Sequence, residues 1–107
     1  MTKDPDGKIE ALLADIWQRN LPILRERLDL LDRTAAKASA GTLDEASRLE
    51  ALSISHKLAG NLGMFGHHQA AESASEIEHI LKSPTPETLA HFPAIAAQLR
   101  QTLASSL

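Results

Sequence analysis

Leucine and alanine dominate the apolar positions of this chain, and apolar residues recur every three or four positions along nearly its whole length. That spacing gathers side chains on one face of a helix, whereas in a strand it would scatter them over both faces. Valine and tyrosine, which favour strands, are absent. Period and composition together predict an all-α fold.

Ile9, Leu12, Leu13, Ile16 and Trp17 fall at i, i+3, i+4, i+7 and i+8, which predicts a short amphipathic helix over about residues 8–19. Asn20-Leu21-Pro22 is expected to break it, because asparagine caps helix starts and proline suits a first turn. A second helix then runs to about Ala38, with Leu24, Leu28, Leu31 and Ala35 on one stripe. Gly41 ends that region, and Thr42-Leu43-Asp44-Glu45 has the form of a capping box opening a third helix. Gly63 to Gly66 closes the third helix, and Ala70, Ala74, Ile77 and Leu81 mark a fourth. Ser83-Pro84-Thr85-Pro86 interrupts the chain again, with Thr85 as cap and Pro86 at the first helical position. Leu89, Phe92, Ala96, Leu99 and Leu103 stripe the fifth helix, whose first turns Pro93 should bend or delay. Short connections between four long helices predict an antiparallel up-down four-helix bundle, with the short extra N-terminal helix packed across one end. Residues 1–107 read as one domain whose first six residues are flexible, and no long apolar stripe is left over for a second subunit, so a monomer is expected.

Charge and composition narrow the function. Eleven Lys and Arg are scattered among fourteen Asp and Glu, for a net charge of −3, and form no basic block, so nucleic acid is a poor partner. Without cysteine, neither a disulfide framework nor a thiolate metal site can form. No apolar stretch reaches membrane-spanning length, and Met1-Thr2-Lys3-Asp4-Pro5-Asp6-Gly7 lacks a signal-peptide core. A cytoplasmic protein with no membrane partner is expected.

One histidine stands apart from the other four. His56 lies in Ser55-His56-Lys57-Leu58-Ala59-Gly60-Asn61-Leu62-Gly63-Met64-Phe65-Gly66. At about 100° per residue its own face carries Leu49, Leu52, Ser53, Ala59, Gly60 and Gly63, while Ala51, Ile54, Leu58 and Leu62 fall on the opposite side. Helical side chains lean toward the N-terminus, so a long residue at 59, 60 or 63 would lie over the imidazole, and none is there. Glycine inside a helix costs roughly 1 kcal/mol relative to alanine, so Gly60 calls for a reason. Keeping the imidazole accessible is one reason; close packing of another helix is the alternative.

The order His56-Lys57-Leu58-Ala59-Gly60, continued by Leu62, Gly63, Phe65 and Gly66, resembles the signature of histidine-containing phosphotransfer (HPt) domains, the relay modules of two-component signalling. The resemblance implies that His56 is a phosphoacceptor, taking a phosphoryl group from the aspartyl-phosphate of a response-regulator receiver domain and passing it on. It implies receiver domains and a hybrid histidine kinase as partners, and a divalent metal held by the receiver, with no cofactor bound by this chain. Leu49, Leu52, Ser53, Lys57, Ala59, Gly60 and Gly63 would form the docking and access surface, and Asn61, Phe65 and Gly66 its local support. Such chemistry needs an unprotonated, exposed nucleophile, and imidazole free in water is mostly neutral at pH 7. No phosphate-binding loop or kinase motif set is present, so the chain is expected to be a phosphocarrier without autonomous kinase activity.

The chain departs from the family's usual pattern at Ala59, where most members resemble one another in carrying a lysine. Lys57 lies about 100° around the helix from His56 and cannot stand in for it. A second reading is therefore a docking module of the same fold that binds a receiver or kinase without carrying phosphate. A third is a metal-binding bundle using Glu72, Glu76 and His79, although that face points away from the apolar stripe. Trp17 belongs to the apolar face of its helix. Arg25, Arg27, Arg33 and Arg48 are expected on solvated faces, with Arg48 at the rim of a docking surface, and His67-His68 in a solvated or packing role.

Overall fold

In the computed structural model, which describes residues 7–107, four helices carry almost the whole chain: α1 Lys8–Ala40, α2 Glu45–Met64, α3 His68–Lys82 and α4 Pro86–Leu103. A short 3-10 turn, Ala104–Ser106, follows α4, and no strand occurs among the described residues. The flexibility expected of residues 1–6 lies outside the described residues.

The separate N-terminal helix expected over residues 8–19 does not exist. Those residues are the first part of α1, a single helix of 33 residues with Pro22 inside it. The reason lies in the stripe Trp17, Leu21, Leu24, Leu28, Leu31, Ala35, whose 4-3-4-3-4 spacing passes Pro22 without a change of phase. Leu21, Leu24, Leu28, Leu31 and Ala35 are all buried, and that burial outweighs the backbone hydrogen bond that Pro22 cannot donate. Asn20 is no cap: its amide donates to the Ile16 carbonyl one turn back, at 2.9 Å. At about 1.5 Å per residue α1 is roughly 50 Å long against roughly 30 Å for α2. Its first turns stand clear of the core, with Ile9 and Leu12 exposed.

Trp17 anchors the extended half of α1. Its ring meets Phe65 edge-on at 5.3 Å between centroids and lies against His67 at 4.5 Å. Its indole N–H donates to the Ser106 carbonyl at 3.0 Å. His67 thus has a packing role, while His68 is exposed.

The remaining boundaries follow local chemistry. Gly41, at φ 71°, ends α1, and Thr42 N–H donates back to the Lys37 carbonyl at 2.9 Å. Thr42 therefore belongs to the end of α1 and does not open the expected capping box with Glu45. Asp44 caps α2 in its place, accepting from Ser47 N–H at 3.1 Å and from the Ser47 hydroxyl at 2.7 Å. Thr85 and Thr88 form a reciprocal capping box with Pro86 in the first turn, so α4 starts where expected and Pro93 does not delay it. Gly66, at φ 84°, closes the end of α2.

Between α2 and α3, Arg48 reaches Leu81, His56 meets Glu78, and a Cβ at Gly63 would stand 4.0 Å from that of Ala71, so rising positions on α2 meet falling positions on α3. Between α1 and α4, Trp17 reaches Ser106, Arg25 reaches Leu107, and Arg100 bridges Asp29 and Asp32 at 2.8–2.9 Å. Burial opposes the Arg100 charge, but the hydrogen bonds it donates to both carboxylates raise its pKa above the ordinary arginine value. The core between the helices holds Leu28, Leu31, Leu58, Leu62, Ile77, Leu81, Phe92, Leu99 and Leu103.

The Ser47 hydroxyl, and then the Ser47 N–H, hold the Asp44 carboxyl at about 2 in place of the usual 3.8. A carboxyl whose pKa is lower folded than unfolded adds stability that is present above about pH 4 and is lost as the pH falls toward 2. The gap in melting temperature between wild type and Asp44→Ala should be full at neutral pH and shrink over that acid range. A gap independent of pH would place the effect of residue 44 outside its charge.

Candidate functional site

His56 occupies the middle of α2 with its side chain 74% exposed. Its placement follows from the neighbours that are buried: Ala51, Ser55, Leu58 and Leu62 face the core and leave residue 56 on the solvent side. Ser55 can be buried because its hydroxyl donates to the Leu52 carbonyl at 3.0 Å.

Small residues are buried on both helices of the α2–α3 seam. Ala51 and Ser55 on α2, and Ala70, Ser73 and Ala74 on α3, are all buried. That seam brings Glu78, whose side chain is 15% exposed, up to the imidazole, with Oε2 2.8 Å from His56 Nδ1. A carboxylate only accepts, so this contact favours the proton on Nδ1, and in that tautomer the lone pair is on Nε2. Lys82 stands on the other side of the same carboxylate, its Nζ 3.7 Å from Glu78 Oε2. Neither Glu78 nor Lys82 figured among the sequence candidates. The available signal was a glutamate beside the buried Ile77 with a lysine four residues on, and nothing in the chain's pattern says which residue of α2 it meets.

The structure gives each residue named for the docking face its exposure. Leu49, Ser53, Lys57 and Gly60 are exposed around His56, and Leu52, Ala59 and Gly63 are half-buried. The two glycines divide the explanations between them. A Cβ at Gly60 would meet nothing within 4 Å, whereas one at Gly63 would stand 4.0 Å from the Ala71 side chain. Gly60 thus leaves open surface, and Gly63 lies against α3. Asn61 is exposed and Phe65 half-buried against Trp17. Gly66 supplies the left-handed turn that sends the chain from α2 into α3, a conformation costly for residues with a Cβ.

Arg48 does not lie on a solvated face. It pairs with Glu45 and donates to the Leu81 carbonyl at the end of α3 at 2.5 Å, with its side chain 19% exposed. The Arg48 hydrogen bond also holds the Glu45 carboxyl below the usual carboxylate range. Among the described residues, no three of His, Asp and Glu converge on a common metal position. Glu76 and His79 border an open groove between α3 and α4, with Ile80, His91 and Ile95.

The family model of the Hpt domain matches residues 15–105, a span that includes the exposed His56. The chain belongs to the Hpt domain family. Hpt domains are phosphocarriers of two-component systems, and the match runs from the first turns of α1 past the end of α4. No match was found among curated proteins, and none among solved structures. No helix of the described residues in this Hpt domain is long and apolar enough to cross a membrane.

Because the space over Gly60 is open, Gly60→Ala should stabilise the domain by up to about 1 kcal/mol in urea unfolding, through helix propensity alone. Destabilisation would show that a side chain there strikes a neighbour. Nitrogen-15 spectra of the imidazole should show the Nδ1–H tautomer dominating in the wild type and receding in Glu78→Ala. Equal tautomer populations in the two proteins would remove Glu78 as the group that sets the proton.

Proposed function

We propose that this chain is a phosphorelay intermediate that accepts a phosphoryl group on His56 Nε2 from the aspartyl-phosphate of a receiver domain and passes it to another receiver. The observation that carries this reading is the exposed imidazole held through Nδ1 by Glu78, which leaves the outer nitrogen free. In the transfer the Nε2 lone pair attacks phosphorus in line, the N–P bond forms as the P–O bond to aspartate breaks, and the aspartate leaves as a carboxylate. The Nδ1 proton stays on the ring, and the positive charge that develops there faces the Glu78 carboxylate. The divalent metal that assists such chemistry belongs to the receiver.

Docking uses the surface around His56. Leu49 and Leu52 supply apolar contact, Ser53 and Lys57 a polar rim, and Ala59, Gly60 and Gly63 the low relief that lets a receiver's cleft reach the imidazole. Receiver domains, with a hybrid histidine kinase upstream, are the partners this surface fits. The same reading includes an up-down antiparallel course for all four helices, supported by the opposed contacts along α2–α3 and α1–α4. It also includes a cytoplasmic monomer without kinase activity, nucleic-acid binding or a cofactor of its own.

Transfer from a panel of radiolabelled phosphorylated receivers tests the reading. Label that is acid-labile and alkali-stable should appear on the wild type and be absent from His56→Gln, whose melting temperature should stay within a few degrees of wild type because the side chain is exposed. Binding to receivers without any label would assign the fold to docking alone.

A further inference from the structure

We propose that Lys82 is the cation that holds the phosphoryl group once it is on His56, leaving Glu78 to do so. This inference rests on the phosphoacceptor reading of His56 and adds the residue that would stabilise the loaded state.

Phosphorylation places a charge of about −1.5 to −2 beside an imidazole whose other nitrogen already faces the Glu78 carboxylate. Two anions on one ring call for a nearby cation. On the His56 face of α2, the residues at 49, 52, 53, 59, 60 and 63 are Leu, Leu, Ser, Ala, Gly and Gly, and none is charged. Arg48 is committed to Glu45 and to the Leu81 carbonyl. Lys57 projects about 100° around the helix from His56. The cation has to come from α3, and Lys82 is already in contact with the carboxylate that holds the imidazole.

The direction of the helices makes the approach favourable. Because α2 and α3 run in opposite senses, Lys82, one turn beyond Glu78, lies level with the turn of α2 that precedes His56. Its neighbour Leu81 fixes the same direction by accepting from the long side chain of Arg48, a further turn toward the start of α2. The imidazole leans toward that turn and Lys82 leans back toward Glu78, so the two side chains incline toward each other. At 3.7 Å from Glu78 Oε2, the ammonium is attracted without being locked in a hydrogen bond. The Lys82 side chain is 60% exposed, which leaves it free to turn to the phosphoryl oxygens. No bond is made or broken in this step; an ion pair to a carboxylate is exchanged for one to a phosphoryl dianion.

The test needs no receiver. Wild type, Lys82→Ala and Lys82→Arg are incubated with phosphoramidate, a small phosphoryl donor, and the phosphohistidine is followed by phosphorus-31 NMR. The expected result is a phosphohistidine in all three, with a lifetime in Lys82→Ala shorter by roughly two- to fivefold, the range a solvent-exposed charge contact carries. The pH midpoint of the phosphoryl resonance should move upward in Lys82→Ala and return toward wild type in Lys82→Arg, a change that a purely structural lysine would not cause. Equal lifetimes and equal midpoints in wild type and Lys82→Ala would overturn the role of Lys82 and leave His56 as the acceptor. No phosphohistidine on the wild type, under conditions that phosphorylate free imidazole, would overturn both readings.

Discussion

The seam between α2 and α3 is the constraint on which the site depends. Ala51 and Ser55 on α2 and Ala70, Ser73 and Ala74 on α3 are small and buried, which suits a close approach of the two helices, and a glutamate on α3 touches an imidazole on α2. With leucine at two or three of these positions the axes would move apart, and Glu78 would meet water in place of His56. The seam is also polar at two points, and the Ser55 hydroxyl is satisfied within its own helix. Its burial therefore carries no penalty of an unpaired group.

Around His56 the domain solves two opposed requirements on one helix. An imidazole acting as the proposed acceptor must be reachable, and the surface is low at Ala59, Gly60 and Gly63; the helix must also stay rigid, although glycine weakens it. Rigidity comes from the other faces: Leu58 and Leu62 are in the core, Arg48 ties the start of α2 to the end of α3, and Asp44 caps its first turn. The cost of two interior glycines is thus borne by packing and end-capping rather than by the site.

Glu78 joins orientation and electrostatics in one group. Its carboxylate touches Nδ1 of the imidazole, and the same oxygen stands 3.7 Å from the Lys82 ammonium. Both contacts come from α3; the residues at 49, 52, 53, 59, 60 and 63 of α2 carry no charge. The site is therefore shared between two helices, with the exposed imidazole on one and its charged neighbours on the other.

Much of this protein could be read from its residues. The all-α class, the stripes of α2, α3 and α4, the Thr85 cap and the accessible face of His56 all follow from periodicity and local capping, which act within a few residues along the chain. The continuity of α1 was also legible, since its apolar phase runs unbroken through Pro22, but local signals at Asn20 and Pro22 argue for a break. Burial of the stripe against α2 and α4 decides between them. Only the tertiary structure brought Glu78 and Lys82 to His56, gave Arg48 to the end of α3 and set Trp17 against Phe65 and His67. Residue spacing fixes which face of its own helix a side chain occupies. Which side chain of another helix it meets depends on how the two helices pack.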